Sequence, residues 1–481
     1  MQKNMLDLAE YKRRFIDFLI QADSLKVNPS NSEGDWTLKS GRTSPHFVNI
    51  GDVSDGDGIS QLGKAYAEAI KATEIDFDLV YGIPEKGVGL AIAAATSLAE
   101  LGINKGWFFT RKEAKAHGEA TGAQSNDIKP KIVGRAPKDG NIIIQLDDVF
   151  TAGDAKYEAR KVLDSLGQFN LPLLAIAVDR QEVGIDGENA IEKYVADTGT
   201  KVTAIITAAE IYKYLSSLKD HEKAAERIAR YLRVYGTKKA KEDLGLKPLE
   251  QRIIETDRSV IPACDVPFEE FGGLIKSTSH LPKIGGYKIP ATSGRKGWER
   301  WVETARKHTN KPLIYDHQKA GTDIPDTAKE FMKELRESGI DTVILFPQAG
   351  PETERAWIYH ALDQELKVIV GGRMTHKGYA QSEGGFITDE GAMEMYKIAA
   401  RAGISDFVVP GNKPEVVKQI KEIIEAEGVS PIFYAPGFVA QGGKISDTAR
   451  VAGSRFHGIV GRGIYRSSDK ELAAIEHCSQ L

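Results

Sequence analysis

The chain has 481 residues, 41% hydrophobic and 27% charged, long enough for two or three domains with real cores and too apolar for wholesale disorder. A formal net charge of -4 and a pI near 6.3 argue against wholesale nucleic-acid binding, while leaving room for local basic patches. The two cysteines, Cys264 and Cys478, are too few for a disulfide framework or a Cys-rich zinc site and fit a reducing cytoplasm.

The first segment, MQKNMLDLAEYKRRF, is a charged amphipathic pattern without a signal-peptide core. No apolar run reaches the about 18 residues of a membrane span, so a cytoplasmic protein with no membrane partner is expected. From Asp78, apolar runs alternate with glycine turns and helical patterns: DLVYGIPEKGVGLAIAAATSLAELG, KGWFFTRKEAKAHG, NIIIQLDDVFTAGDAKYEARKVLDSLG, LPLLAIAVDR and KVTAIITAAEIYKYL. Val- and Ile-rich strands between helices predict a parallel α/β sheet. A first domain is expected over residues 1–213, and a charged helical connector over 214–257. Eight apolar runs then recur at barrel-like intervals over 258–481: SVIPACDV, IGGYKIP, KPLIYDHQ, DTVILFPQAG, LKVIVGGRM, ISDFVVPGN, SPIFYAPG and FHGIVGRGIY. These predict a (β/α)8 TIM barrel, whose chemistry would lie at the carboxyl ends of its strands.

In IIIQLDDVFTAGDAK an apolar strand carries Asp147 and Asp148 to its end, and Thr151, Ala152, Gly153, Asp154 and Ala155 turn into a helix. Backbone N–H groups there, with the Thr151 hydroxyl, can cradle a phosphate, and the paired carboxylates suit ribose hydroxyls or a hydrated metal ion. Taken alone, the segment reads equally as an ordinary strand-turn-helix with solvated acids. It nevertheless resembles the phosphoribosyl-pyrophosphate motif of type I phosphoribosyltransferases, and three neighbours narrow the likeness to the orotate phosphoribosyltransferases. TRKEAKAHGEATG, with Arg111, Lys112, Lys115 and His117, resembles that family's catalytic loop; TLKSGRTSPHFVNIG, with Lys39, resembles its N-terminal segment; GIPEKGVGLA, with Lys86, resembles its glycine-rich lysine loop.

The resemblance implies transfer of a ribosyl group from phosphoribosyl pyrophosphate to orotate, with Mg²⁺ carried by the substrate, giving orotidine 5′-phosphate and pyrophosphate. Lys115 and His117 would be catalytic, the other residues substrate-binding. The loop would neutralise the departing pyrophosphate and reach a neighbouring subunit, implying a homodimer or larger homo-oligomer. Asp154 stands where a small hydroxyl residue is common, so only its backbone N–H is expected to serve the phosphate.

In the barrel, YDHQKAGTDIPDT places Asp316, Lys319 and Asp323 after the third run. Asp265 closes the first run and Lys288 lies in the second. Thr375 follows the fifth and Gln441 the seventh, while Gly461 and Arg462 end the eighth. The set resembles orotidine 5′-phosphate decarboxylase in its divergent archaeal form, with D-H-Q-K-A-G-T-D in place of a tighter D-x-K-x-x-D. The resemblance implies a cofactor-free Lys288–Asp316–Lys319–Asp323 array, with Asp323 donated across a dimer interface and Lys319 protonating the carbanion. Asp265 would hold ribose hydroxyls, Thr375 the pyrimidine, and Gln441 with Gly461 and Arg462 the 5′-phosphate. Lys283 is the other candidate for the second-run lysine; Lys288 is preferred because Lys283 would start its strand.

The two likenesses together imply a bifunctional uridine 5′-monophosphate synthase, transferase first. A metal-dependent phosphosugar decarboxylase barrel, or a non-catalytic sensor of phosphoribosyl pyrophosphate, are the alternatives. His376 and His457, placed near the barrel mouth, read as hydrogen-bonded scaffold rather than metal ligands, and Cys264 as a buried structural thiol. No resident metal site is expected.

Overall fold

Runs rich in isoleucine and valine become buried strands in both halves of the chain, because β-branched side chains suit a pleated surface covered on both faces. The structure, a computed structural model, describes residues 8–30, 34–111, 132–151, 153–317, 323–439 and 442–481. Residue contacts divide into two units, Met1–Leu232 with Gly236–Gly245, and Arg233–Tyr235 with Leu246–Leu481.

The first unit is built on a six-stranded sheet: β1 (Leu79–Gly82), β2 (Gly106–Thr110), β3 (Ile132–Gly134), β4 (Ile142–Val149), β5 (Asn170–Asp179) and β6 (Lys201–Thr207). Its order is β6-β5-β4-β1-β2-β3. All pairings are parallel except β2 with β3. The expected parallel sheet is present, with one antiparallel addition at its edge: a strand with one neighbour is where such an addition is tolerated, and three residues are too short to read as a pattern. Tyr81, Phe108, Ile143, Phe150, Leu163, Leu174, Ile176 and Tyr194 form the core on one side. Helices Gly56–Lys71 and Gly87–Glu100 approach closely because Gly63 has no side chain; a Cβ there would lie 2.5 Å from the Ala93 carbonyl oxygen.

The stretch 214–257 is helical over Glu222–Tyr235 and Lys238–Asp243 and has no regular structure from Leu244 to Asp257. Ala224, Ala225, Ile228, Tyr231 and Leu232 repeat at helical spacing and are buried, so this helix adds core to the first unit as far as Leu232.

The second unit contains β7 (Arg258–Pro262), β8 (Tyr287–Pro290), β9 (Leu313–Asp316), β10 (Thr342–Leu345), β11 (Lys367–Gly371), β12 (Asp406–Val408), β13 (Ile432–Ala435) and β14 (Phe456–Val460). They pair in parallel in the order β7-β14-β13-β12-β11-β10-β9-β8. Bridges Val260–Ile284 and Ala263–Lys288 close the ring between β7 and β8. Ile261, Ile314, Ile344, Ile369, Val408, Ile432 and Ile459 belong to one buried cluster with Ile253 and Ile254 from the preceding segment. That segment joins the strands by hydrogen bonds. Gln251 donates to the Val368 carbonyl (2.8 Å) and accepts from its N–H (2.7 Å), standing in for a strand neighbour. Among the described residues no helix is long and apolar enough to cross a membrane.

Candidate active sites

In the first unit, β1 continues to helix Gly87–Glu100 and β2 on one side, while its other neighbour is β4. The crevice between β1 and β4 is therefore a switch point of the sheet, where α/β folds bind ligands outside the carboxyl edge. Lys86, after β1, reaches across it: its Nζ lies 2.5 Å from Asp148 Oδ2, with the lysine side chain 60% exposed and the carboxylate 9%. Asp147 points the other way. It is paired with Lys156 Nζ at 2.6 Å, and Lys156 also donates to the Val149 carbonyl at 2.7 Å. Burial raises the Asp147 carboxyl above the usual carboxylate range, against the pull of Lys156. The Tyr66 hydroxyl donates to the Asp147 carbonyl at 2.7 Å and holds the strand end from helix Gly56–Lys71.

After β4 the chain turns through Gly153 at φ +89°, a left-handed conformation that favours glycine. Helix Asp154–Leu166 follows. Thr151, Asp154 and Ala155 are exposed at this turn. Gly87 is needed for close approach, since a Cβ there would stand 2.3 Å from the Leu146 carbonyl oxygen, immediately before Asp147. Arg111 follows β2 and is half-buried. Lys39 is exposed at the tip of a short hairpin, Trp36–Thr37 paired with Thr43–Ser44, turned at Gly41 with φ +84°.

Buried Arg42 and half-buried Arg180 anchor this hairpin. Arg42 donates to the carbonyls of Val183 (2.6 Å) and Gly184 (3.1 Å). Arg180, following β5, binds Ser44 Oγ (3.2 Å) and Glu182 (2.8 Å). Lys112, Lys115, His117 and Ala152 lie outside the described residues.

At the barrel mouth, Lys288 is 5% and Asp316 2% exposed. Lys288 Nζ stands 2.5 Å from Asp316 Oδ2 and 3.6 Å from Asp265 Oδ1, so three strand ends contribute one ammonium between two carboxylates. Burial alone would lower the Lys288 pKa; Asp316, then Asp265, outweigh it, and the net direction is upward. Lys283 precedes β8 and donates to the Cys478 carbonyl at 3.3 Å, away from this cluster. Cys264 is fully buried, and burial pushes its thiol pKa up.

Beside Asp316, His317 stacks on Trp357 at 4.9 Å and packs against Phe331 at 4.6 Å. The Trp357 indole donates to the Ile324 carbonyl at 3.3 Å, and Ile324 N–H donates to Asp323 Oδ1 at 2.8 Å. Asp323 is exposed. Lys319 and Gln441 lie outside the described residues.

Thr375 is half-buried, and its carbonyl accepts from Asn412 Nδ2 at 3.0 Å. Lys413 bonds the Met374 carbonyl and Glu383, at 3.2 and 2.5 Å, so the loop after β12 holds the loop after β11. Gly461 precedes a four-residue helix, Arg462–Tyr465, with Arg462 exposed. His457 corrects an expectation of position: it is the second residue of β14 and bonds Ser259 Oγ at 2.8 Å, toward the amino ends of the strands and not the mouth. Lys156, Tyr66, Arg42, Arg180, His317 and Trp357 went unmarked in the sequence. Helical spacing alone would have placed Lys156 near the carboxylates, one turn after Gly153.

The first unit thus has the cation-and-carboxylate switch-point crevice of a nucleotide- or phosphosugar-handling α/β enzyme, and the second has the charged mouth of a TIM-barrel enzyme. The chain is 38% identical over 227 residues to orotate phosphoribosyltransferase of Marinobacter nauticus, covering 47% of this chain and 99% of that protein. It is 39% identical over 220 residues to the orotate phosphoribosyltransferase of a Pseudomonas fluorescens strain, covering 45% and 95%. Through its N-terminal half the chain belongs to the orotate phosphoribosyltransferase family. Residues 283–476 match the sequence model of the orotidine 5′-phosphate decarboxylase / HUMPS family. Among solved structures, orotate phosphoribosyltransferase of Francisella tularensis aligns at 28% identity and TM-score 0.40, covering 47% of this chain and all of that one. Orotidine 5′-monophosphate decarboxylase of Methanocaldococcus jannaschii with the inhibitor BMP aligns at 23% and 0.41, covering 46% and 97%. The chain therefore carries an N-terminal half of the orotate phosphoribosyltransferase family followed by a segment that matches the orotidine 5′-phosphate decarboxylase / HUMPS family model.

Proposed function

We propose that this chain makes uridine 5′-monophosphate in two successive reactions of pyrimidine biosynthesis. In the first, orotate attacks C1′ of phosphoribosyl pyrophosphate as pyrophosphate leaves, giving orotidine 5′-phosphate. Asp148 would serve the ribosyl side, where positive charge develops, with Asp147 held behind it by Lys156, and Lys39, Lys86, Arg111, Lys112, Lys115 and His117 would serve the anionic side. Backbone N–H groups of 151–155 hold the 5′-phosphate. Magnesium fits here as a companion of the pyrophosphate: Asp147 and Asp148 each already receive a lysine ammonium, and no cluster of three or more His, Cys, Asp or Glu side chains suited to a metal occurs among the described residues. Bound in that way, it would offset charge on the leaving group.

In the second reaction the bond from C6 to the carboxylate breaks, CO₂ departs, and the electron pair left at C6 takes a proton from Lys319. Asp316 disfavours the substrate carboxylate in the ground state. Lys288 is fixed between Asp265 and Asp316, so the array needs no reorganisation as charge develops. Asp265 takes ribose hydroxyls and Thr375 the pyrimidine. Gln441, Gly461 and Arg462 take the phosphate, whose remote binding energy helps drive the chemistry. Asp323 completes the array from a second copy of the chain in a homodimer or larger homo-oligomer. The observation that carries this reading is the buried lysine between two carboxylates at the mouth of a barrel fused to a transferase whose product it would consume.

The test is an assay of the purified chain from orotate to uridine 5′-monophosphate. Lys319→Ala should cut CO₂ release from preformed orotidine 5′-phosphate by about 10³-fold or more and leave its synthesis from orotate intact. EDTA should stop synthesis and spare decarboxylation. Equal loss of both activities in a folded Lys319→Ala protein would refute the division of labour; EDTA-sensitive decarboxylation would favour a metal-dependent phosphosugar-type barrel.

A further inference from the structure

Lys39 sits on a hairpin only two residue pairs long, too small to hold its own position. One leg is fastened by Arg42 and Arg180, as described above. The other is fastened from much further along the chain. Asp35, the residue before the hairpin, has a fully buried side chain and meets Arg227 of helix Glu222–Tyr235 in a two-pronged ion pair, Nη1 to Oδ1 and Nη2 to Oδ2, each 2.7 Å. Asn28 adds a third contact, Nδ2 to Asp35 Oδ1 at 2.8 Å, while its own carbonyl accepts from Arg227 Nη1 at 3.2 Å. One helical turn on, Tyr231 meets the His46 ring edge-on at 5.6 Å.

A guanidinium matches a carboxylate with two parallel N–H bonds, and the pair then resists rotation as well as separation. Because both groups are out of water, loss of either leaves an uncompensated charge, so the clamp has no cheap open state.

We propose that Arg227 is a positioning residue of the transferase site: through Asp35 it sets where the Lys39 hairpin stands, although it lies beyond the 1–213 span that carries the family motifs. The inference rests on the substrate-binding role given to Lys39 under the proposed function.

The experiment is a double-mutant cycle in the full chain, with decarboxylation of preformed orotidine 5′-phosphate counting the folded protein. Lys39→Ala identifies which KM, that of orotate or of phosphoribosyl pyrophosphate, the hairpin governs. Arg227→Lys, which keeps the charge and loses the fork, should raise that KM about tenfold with kcat within about twofold, and by less than about twofold in the Lys39→Ala background. If Arg227→Lys does not fold, the neutral pair Asp35→Asn with Arg227→Gln takes its place. Equal effects in both backgrounds, or a fall in kcat alone as packing damage would give, overturn the proposal. A Lys39→Ala protein with unchanged KM values would remove the Lys39 assignment and this proposal with it.

Discussion

Lys288 and the buried histidines of the barrel solve opposite problems with the same burial. Lys288 keeps its proton because Asp316 and Asp265 stand beside it. His317 and His457 are kept neutral because burial has no carboxylate strong enough to oppose it. Burial brings His317 from its ordinary 6.5 down to about 4, with Asp316 pulling weakly the other way. Burial and then Arg455 bring His457 to about 3. His457 Nε2 has no hydrogen-bond partner among the described residues, so a proton there would be unsupported.

Unfolding frees both rings to bind protons near 6.5. The stability they contribute is present above that pH and is lost as pH falls toward 4 for His317 and 3 for His457, at about 1.4 kcal/mol per pKa unit. The denaturant midpoint of the second unit should therefore fall between pH 6.5 and 4. His457→Asn, which keeps a hydrogen-bonding atom for Ser259, should flatten the fall. A wild-type midpoint that does not move with pH would rule this out.

At the scale of elements, two short connections carry the first site. The loop after β1 presents Lys86 and the turn after β4 presents the proposed phosphate cradle, and the two come close where Gly87 lies against the backbone at Leu146. Gly87→Ala forces these strands' ends apart. It should destabilise the first unit by about 1–3 kcal/mol and cost at least about tenfold in transferase kcat/KM, because Lys86 and Asp148 separate. Decarboxylation of preformed orotidine 5′-phosphate should be unchanged; transferase kinetics of wild-type quality would show that the loop can yield.

Much of this was legible in the sequence. IIIQLDDV and LIYD are apolar runs that stop at acids, so strand and site residue announce each other, and the eight barrel strands fall where such runs recur. The supports were not legible. Asp35 and Arg227 are 192 residues apart, Arg42 and Val183 are 141 apart, and nothing local distinguishes such an arginine from a solvated one. The amphipathic pattern of helix Glu222–Tyr235 marked a helix without saying which core it joins. The antiparallel turn of β3 was hidden for a simpler reason, since three residues carry no period.

At the scale of the whole molecule, a chain of net charge -4 would handle polyanionic substrates through local fields and not bulk charge, with a few aimed cations such as Lys86 and Lys288 set at the carboxyl ends of strands. The two units follow the same rule with different sheets, one open and one closed: charged side chains gather at the carboxyl ends of strands and in the loops that follow them.

The segment before β7 has a practical consequence for dissecting the chain. Ile253 and Ile254 are each 2% exposed and belong to the interior cluster of the barrel. Leu249 N–H bonds the Gly403 carbonyl at 2.7 Å, and Gln251 also reaches Asp406 at 2.9 Å. These residues are the barrel's floor, though no strand pattern marks them. A separately expressed second half starting at Arg258, the first strand residue, would forfeit about 3–6 kcal/mol from the two isoleucines alone, a large share of a domain's about 5–15 kcal/mol. One starting at Leu246 should melt in a single transition at a clearly higher temperature. The natural place to cut this protein is therefore a dozen residues ahead of where its barrel, counted by strands, begins.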